Sequence, residues 1–309
     1  MTLPLSCWRS SWWESASRVE SPAIDANAHL VVTVLVENGP SHQEGLACEH
    51  GLSLHLAYGS LRILLDFGQS DAFMRNADAL GIDLAQVDLA VLSHAHYDHA
   101  NGMDAFFARN THAPLCLSAA CAETCWSTKG GTAEAHYIGM RAGLLAEFSK
   151  RLSPVPTDRV TTIAPGVHAV PHTTPNLANA GAKAGMFLRE GDAWRPDDFA
   201  HELTLVIELG NAADAPLAIF NSCSHAGLPA IVAEVQEAFP NRTIATYVGG
   251  LHLVHASDED ILQVARAAEH AGIGQLCTGH CTGEHAVALL QRELPSHVVA
   301  LSPGLTLAF

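Results

Sequence analysis

Short apolar runs of two different periods alternate along this chain. Residues 31–37, Val-Val-Thr-Val-Leu-Val-Glu, are β-branched and few, which predicts a buried strand. Residues 52–58 and 61–67 flank Gly59-Ser60 and predict a hairpin. Ser70 is placed to cap a helix that runs through Leu80 and stops at Gly81, after which 87–92 predicts another strand. Residues 133–151 carry Tyr137, Met140, Leu144, Leu145 and Phe148 at helical spacing and predict a helix. Residues 153–198, rich in Pro and Gly and poor in long periodic runs, are expected to cover the site as loops.

From Leu203 onward strand and helix patterns alternate. Residues 203–209, 216–220, 243–248 and 275–278 predict strands. Helices are predicted from Pro229 to 239, from a capping box of Ser257 and Asp260 to Gly272, and from 283 to 294. Two sheet-and-helix halves follow, an α/β (α+β) arrangement with helices outside. Each half ends strands in histidine-bearing loops, where open sheets covered by helices usually bind ligands.

Chemistry concentrates in one such loop. His94-Ala-His96-Tyr-Asp98-His99 follows the apolar run 87–93 and places three imidazoles and a carboxylate within six residues, a density that metal binding requires and folding does not. Imidazoles at i and i+2 of an extended segment point to one side, so His94 and His96 suit one cation; the next turn carries Asp98 and His99 toward a second.

Composition narrows the partners. The chain has 309 residues, 48% hydrophobic and 16% charged, enough apolar material for a sizeable core. Its formal net charge of −16, without a basic cluster, disfavours nucleic acid and anionic membrane surfaces. No run approaches the length of a membrane span. A small-molecule substrate is the expected partner, and apolar outer helices make a homodimer plausible. Eight scattered cysteines lack the density of a disulfide scaffold, which favours reduced thiols, mostly buried small hydrophobes, and a cytoplasmic location. Residues 1–28 carry three tryptophans among Ser, Arg and Glu without a secretory core and read as a flexible tail ahead of a domain over 29–309.

His94-x-His96-x-Asp98-His99, preceded by Leu64-Leu65-Asp66-Phe67-Gly68, resembles the metallo-β-lactamase superfamily. Glu49-His50-Gly51, the stretch from Asn221 through Cys223 and His225 to Gly227, Gly249-Gly250-Leu251-His252-Leu253 and Thr278-Gly279-His280-Cys281-Thr282-Gly283 resemble its dihydropterin-methyl-ribofuranosylaminobenzene phosphate synthase branch. The likeness spans residues 31–309 and implies an αββα four-layer sandwich with a metal site at one edge.

It further implies that His94 and His96 hold a first metal, Asp98 and His99 a second, His225 the first or the bridging region, and His280 the second. Asp98 and His99 then stand closest to the catalytic chemistry, and Asp66 supports the histidine loop from behind. An acidic bridge usual in the superfamily is replaced here by Cys223 and His225. His172 is an alternative for a middle ligand position, weighted well below His225. Cys223 is expected to pack beside the site, while His50 and His252 divide evenly between substrate contact and support of neighbouring loops. His201, Glu202, Asp197 and Asp198 read as a polar strand entrance.

One or two zinc ions are the default cofactor; the ligand types also suit iron or manganese. The expected activity is metal-dependent hydrolysis or synthesis on a small, phosphorylated or pterin-like substrate. An iron oxidoreductase and a non-catalytic metal-stabilised binding protein are the alternatives.

Overall fold

Alternation along the strands decides the layering. In Leu203–Glu208, Leu205 and Ile207 join the apolar layer that also holds Leu30, Val32, Val34, Leu54 and Leu56, while Val206 faces a separate layer beneath the helices. In Leu217–Phe220, Ala218 and Phe220 point into the first layer, Leu217 and Ile219 into the other. Both faces of these strands are thus buried, and each fully buried Val, Leu, Ile or Phe contributes about 1.5–3 kcal/mol. The computed structural model describes residues 30–41, 43–128 and 134–309; the tail expected over 1–28 lies outside them.

Two seven-stranded sheets sandwich the central layer. The first runs, edge to edge, through Thr306–Ala308, Leu30–Val36, Ser53–Tyr58, Leu61–Leu65, Leu89–Val91, Leu115–Ser118 and Leu152–Val155. The second runs through Val298–Ala300, Gln275–Thr278, Ile244–Val248, Leu217–Phe220, Leu203–Glu208, Val167–Pro171 and Thr161–Ala164. Each combines antiparallel strands with a parallel run: Leu61–Leu65 through Leu152–Val155 in the first, Leu217–Phe220 through Val298–Ala300 in the second. Helices Ala72–Ala79 and Met103–Arg109 cover the outer face of the first sheet, packing Phe73 and Phe106 against Phe67. Helices Leu228–Ala238, Asp258–His270 and Glu284–Glu293 cover the second over Tyr247, Ile219 and Leu276. The four layers αββα are those the resemblance implies.

Local signals place several elements well. Ser257 Oγ accepts the Asp260 amide, so the capping box opens its helix as read. At the first helix Ser70 Oγ accepts Ala72 N, while Asp71 takes the cap position. Two expectations of secondary structure fail. The helix expected over 133–151 is replaced, where described, by the strand His136–Tyr137, the single turn Leu144–Glu147 and a 3₁₀ turn Ser149–Arg151. Gly139 and Gly143, the latter at φ 84°, interrupt it, and Met140 and Leu144 reach the outer apolar layer from irregular backbone.

Nor is 153–198 a stretch of loops. It contains Thr161–Ala164, Val167–Pro171, the helix Leu177–Ala184, and the strands Met186–Glu190 and Ala193–Pro196, which join Cys125–Ser127 and His136–Tyr137 in a small third sheet. Pro154 lies on an edge strand and Pro171 and Pro196 at strand ends, where no ladder donor is lost. Among the described residues no helix is long and apolar enough to cross a membrane. Five of the cysteines are buried and free, while Cys48 is disulfide-bonded, against the expectation of reduced thiols.

Candidate metal centre

The carboxyl ends of five strands meet at one edge of the sandwich. Leu61–Leu65 delivers Asp66, Leu89–Val91 the 94–99 loop, Leu217–Phe220 Cys223 and His225, Ile244–Val248 His252, and Gln275–Thr278 His280. Asp66, Ser224, His252 and His280 sit at φ 51–61°, backbone that side chains with a Cβ normally avoid. Gly249, at φ 144°, lies so close to the neighbouring loop that a Cβ would fall 1.9 Å from Asn221 O.

Six side chains read from the sequence as ligands converge here. Ligand atoms of His94, His96 and His225 lie within 4.8 Å of one another, and the Nε2 atoms of all three are buried without a hydrogen-bond partner. Unpaired buried nitrogens are costly, and three at one point are the arrangement a cation satisfies. Beside them, Asp98 Oδ2 lies 3.6 Å from His99 Nε2 and 3.4 Å from His280 Nε2, with 3.0 Å between those two nitrogens. His94 and His99 rings, 4.2 Å apart, link the groups. Donor type and spacing fit a divalent ion at each, and the orphaned nitrogens mark the first.

Hydrogen bonds behind the rings set their tautomers. His99 Nδ1 donates to Asp66 Oδ2 at 2.8 Å, leaving Nε2 free to face Asp98 and His280. Asp66 Oδ1 accepts Ser93 N and Oδ2 accepts Ser93 Oγ, both at 2.7 Å, so Ser93 Oγ accepts in turn from His94 Nδ1 at 2.8 Å. Asn38 Oδ1 takes His280 Nδ1 at 2.8 Å, and its Nδ2 donates to His50 Nδ1 at 3.2 Å, which turns His50 Nε2–H onto Asp98 Oδ2 at 3.1 Å. Burial first, then neighbouring imidazoles, push His94 and His225 well below the usual range, so both are neutral and able to ligate. Burial alone would raise the Asp98 carboxyl, but His99, His280 and His50 outweigh it and hold it ionised.

The remaining residues sort as follows. Cys223 Sγ lies 3.3 Å from His99 Nε2 and within ligand range of both groups, closer to the centre than a packing role requires. The His252 ring lies tilted against His225, centroids 4.6 Å apart, with its Nδ1 buried and unpaired, and His50 is half exposed at the rim. His172 is neither a ligand nor solvated: its two nitrogens donate to Glu202 Oε2 at 2.7 Å and Glu234 Oε2 at 2.8 Å. Burial opposes its charge, yet the two carboxylates carry its pKa to about 9.

The polar strand entrance holds more than was read there. Asp197 and His201 are buried, and with Cys125 they form a group behind His96 that sequence reasoning missed. His201 Nδ1 accepts Ala95 N, so its proton sits on Nε2, which donates to Asp197 Oδ2 at 3.0 Å with Cys125 Sγ at 3.7 Å; these residues support the ligand loop by hydrogen bonding. An Asp four residues before a His at the mouth of a mostly apolar strand is the available signal.

With this geometry, comparison with known proteins is informative. Residues 53–180 match the family described as the metallo-beta-lactamase superfamily. A crystal structure described as a metal-dependent hydrolase of the beta-lactamase superfamily aligns with a TM-score of 0.74 at 29% identity, covering 91% of this chain and 99% of that one. The chain therefore has the metallo-β-lactamase fold. A curated relative from Methanocaldococcus jannaschii, named 7,8-dihydropterin-6-methyl-4-(beta-D-ribofuranosyl)-aminobenzene-5'-phosphate synthase, is 24% identical over 292 residues, 91% of this chain and 97% of its own. Zn(2+)-bound PqqB from Methylobacterium extorquens shares the fold alone, with a TM-score of 0.51 at 13% identity over 90% of this chain and 100% of that one.

Proposed function

We propose that this protein is a metal-dependent enzyme that hydrolyses, or displaces a leaving group from, a small phosphorylated or pterin-like substrate. The observation that carries it is the convergence of three unpaired imidazole nitrogens with Asp98, His99 and His280 at one rim. His94, His96 and His225 would hold a first divalent ion, and Asp98, His99 and His280 a second, with Cys223 between them. Zinc is favoured by the mixture of imidazole, carboxylate and thiol, and iron or manganese would also be accommodated. Such ions supply Lewis acidity, polarise a phosphoryl or carbonyl oxygen and lower the pKa of water from 15.7 to about 7.

The chain supplies orientation and proton handling. Asp66 and Ser93 keep the protons of His99 and His94 away from the ligating face. His50, exposed and hydrogen-bonded to Asp98, is positioned to pass a proton between the site and the substrate or solvent. The resemblance to a synthase supports a phosphorylated pterin-type substrate, and the hydrolase-type relative supports water as the attacking group.

Elemental analysis of the purified protein, followed by assay of phosphodiesters, lactones and β-lactams with and without added metal, tests this reading. Metal-dependent turnover supports it. A protein that takes up no metal, or that turns over none of these with metal present, rejects it.

A further inference from the structure

Two buried carboxylates that belong to neither metal group hold the backbone of the two ligand loops contributed by the second half. Glu202, fully buried, accepts His225 N on Oε1 at 3.2 Å; its Oε2 faces Ala226 N at 3.4 Å and His172 Nε2 at 2.7 Å. Glu37, also buried, accepts His280 N on Oε1 and Gly39 N on Oε2. In both places the backbone is in the left-handed region, at Ser224 beside His225 (φ 53°) and at His280 itself (φ 52°). That conformation is disfavoured for any residue with a Cβ and persists only when the surroundings over-determine it. An imidazole points where its backbone puts it, so whatever fixes the amide fixes the ligand.

The two clamps are anchored separately. Glu202 is braced through His172 to Glu234, whose Oε1 accepts Thr173 N, Thr174 N and Thr174 Oγ1, each at 2.8 Å. Both His172 nitrogens face carboxylates, so the imidazole carries its second proton, and two carboxylates with one imidazolium leave a net negative charge behind the first group. Glu37 leaves the end of the strand Leu30–Val36 in the other sheet and reaches across to the His280 loop.

We propose that Glu202 and Glu37 are positioning residues that act on different metals: Glu202 sets the first through the backbone of His225, and Glu37 sets the second through the backbone of His280. This rests on the two-metal reading above. A general loss of rigidity would weaken both ions together, whereas separate clamps predict a crossed pattern.

Glu202→Met and Glu37→Met keep side-chain volume while removing the acceptors. Zinc affinity is measured by chelator competition, and cobalt(II) spectra identify which site is filled, with His94→Ala and His280→Ala as references for loss of the first and second ion. Glu202→Met is expected to weaken the first ion about 10–100-fold and leave the second within about threefold; Glu37→Met is expected to do the reverse. If the methionine variants do not fold, Glu202→Asp and Glu37→Asp, which retract each carboxylate by one methylene, are expected to show the same split at smaller amplitude. Equal weakening of both ions in each variant, or no change in either, overturns the proposal. A wild-type protein that takes up fewer than two equivalents instead rejects the two-metal reading, and the assignment of separate clamps falls with it.

Discussion

Asp66→Asn tests how the site controls protons. The substitution preserves size and tolerates φ 61°, but it replaces one of two acceptor oxygens by an NH₂ donor. With the remaining oxygen on Ser93 N, the amide donates toward Ser93 Oγ and His99 Nδ1, and both must become acceptors. His99 then carries its proton on Nε2, facing Asp98 and His280. Ser93 turns its hydroxyl toward His94 Nδ1, and the His94 proton also moves to Nε2. The opposite amide orientation sets NH₂ against Ser93 N–H, a buried clash costing about 1–3 kcal/mol.

Three charge-assisted bonds each weakened by about 1 kcal/mol give a loss of about 3 kcal/mol in the metal-free protein. Disturbing one supporting partner typically costs 10–100-fold in metal affinity, and on the two-metal reading two imidazoles on different ions are reversed, so zinc binding should fall at least about 100-fold. Chelator competition measures the affinity, and urea unfolding of the metal-free protein measures the stability. Zinc affinity within about threefold of wild type, with the metal-free stability unchanged, would refute the tautomer reasoning.

Three further outcomes are expected. His96→Ala should abolish bound metal and turnover, while the exposed His112→Ala leaves both intact; equal effects in the two variants contradict the placement of the centre. The pKa of His172 is raised from 6.5 to about 9, so its contribution of about 3 kcal/mol is fully present below about pH 6.5 and lost as pH rises through 9. Urea unfolding should show wild type losing that margin over His172→Gln between about pH 6 and pH 10, and parallel curves would contradict it. Gly249→Ala should cost roughly 3 kcal/mol or more, because its Cβ would fall 1.9 Å from Asn221 O on the neighbouring loop; a melting temperature within about a degree of wild type would show that the loops can part.

The parts of this protein that were legible in its sequence are those governed by near neighbours. Runs of β-branched and apolar residues marked Leu30–Val36 and Leu203–Glu208, and the 94–99 loop declared its chemistry because its donors are adjacent in the chain. Helical spacing over 133–151 misled because Met140, Leu144 and Phe148 pack on the outer layer from turns, which spacing alone does not distinguish from a helix. Prolines suggested loops over 153–198, yet at edges and strand ends a missing amide proton costs nothing. His201, Asp197 and Glu202 were read as a strand entrance because their partners, Cys125, Ala95, His172 and His225, are distant in sequence. His225 and His280 were reached through motif resemblance, since nothing local in either stretch says that the two loops meet.

Residues 94–99 come from one sheet, and His225 and His280 come from the other. An ion held by both would be a rivet across the seam of the sandwich, making occupancy and closure of that seam a single equilibrium. At a free ion concentration a thousandfold above the dissociation constant, the linkage adds about 4 kcal/mol to the joined form. Chelation should loosen the rim first, so amide hydrogen exchange would quicken at the strand ends around Asp66, Ser224 and Gly279 while the far end of the sandwich keeps its protection. With such ions bound, the supply of metal would govern not only turnover but how long the two halves stay closed.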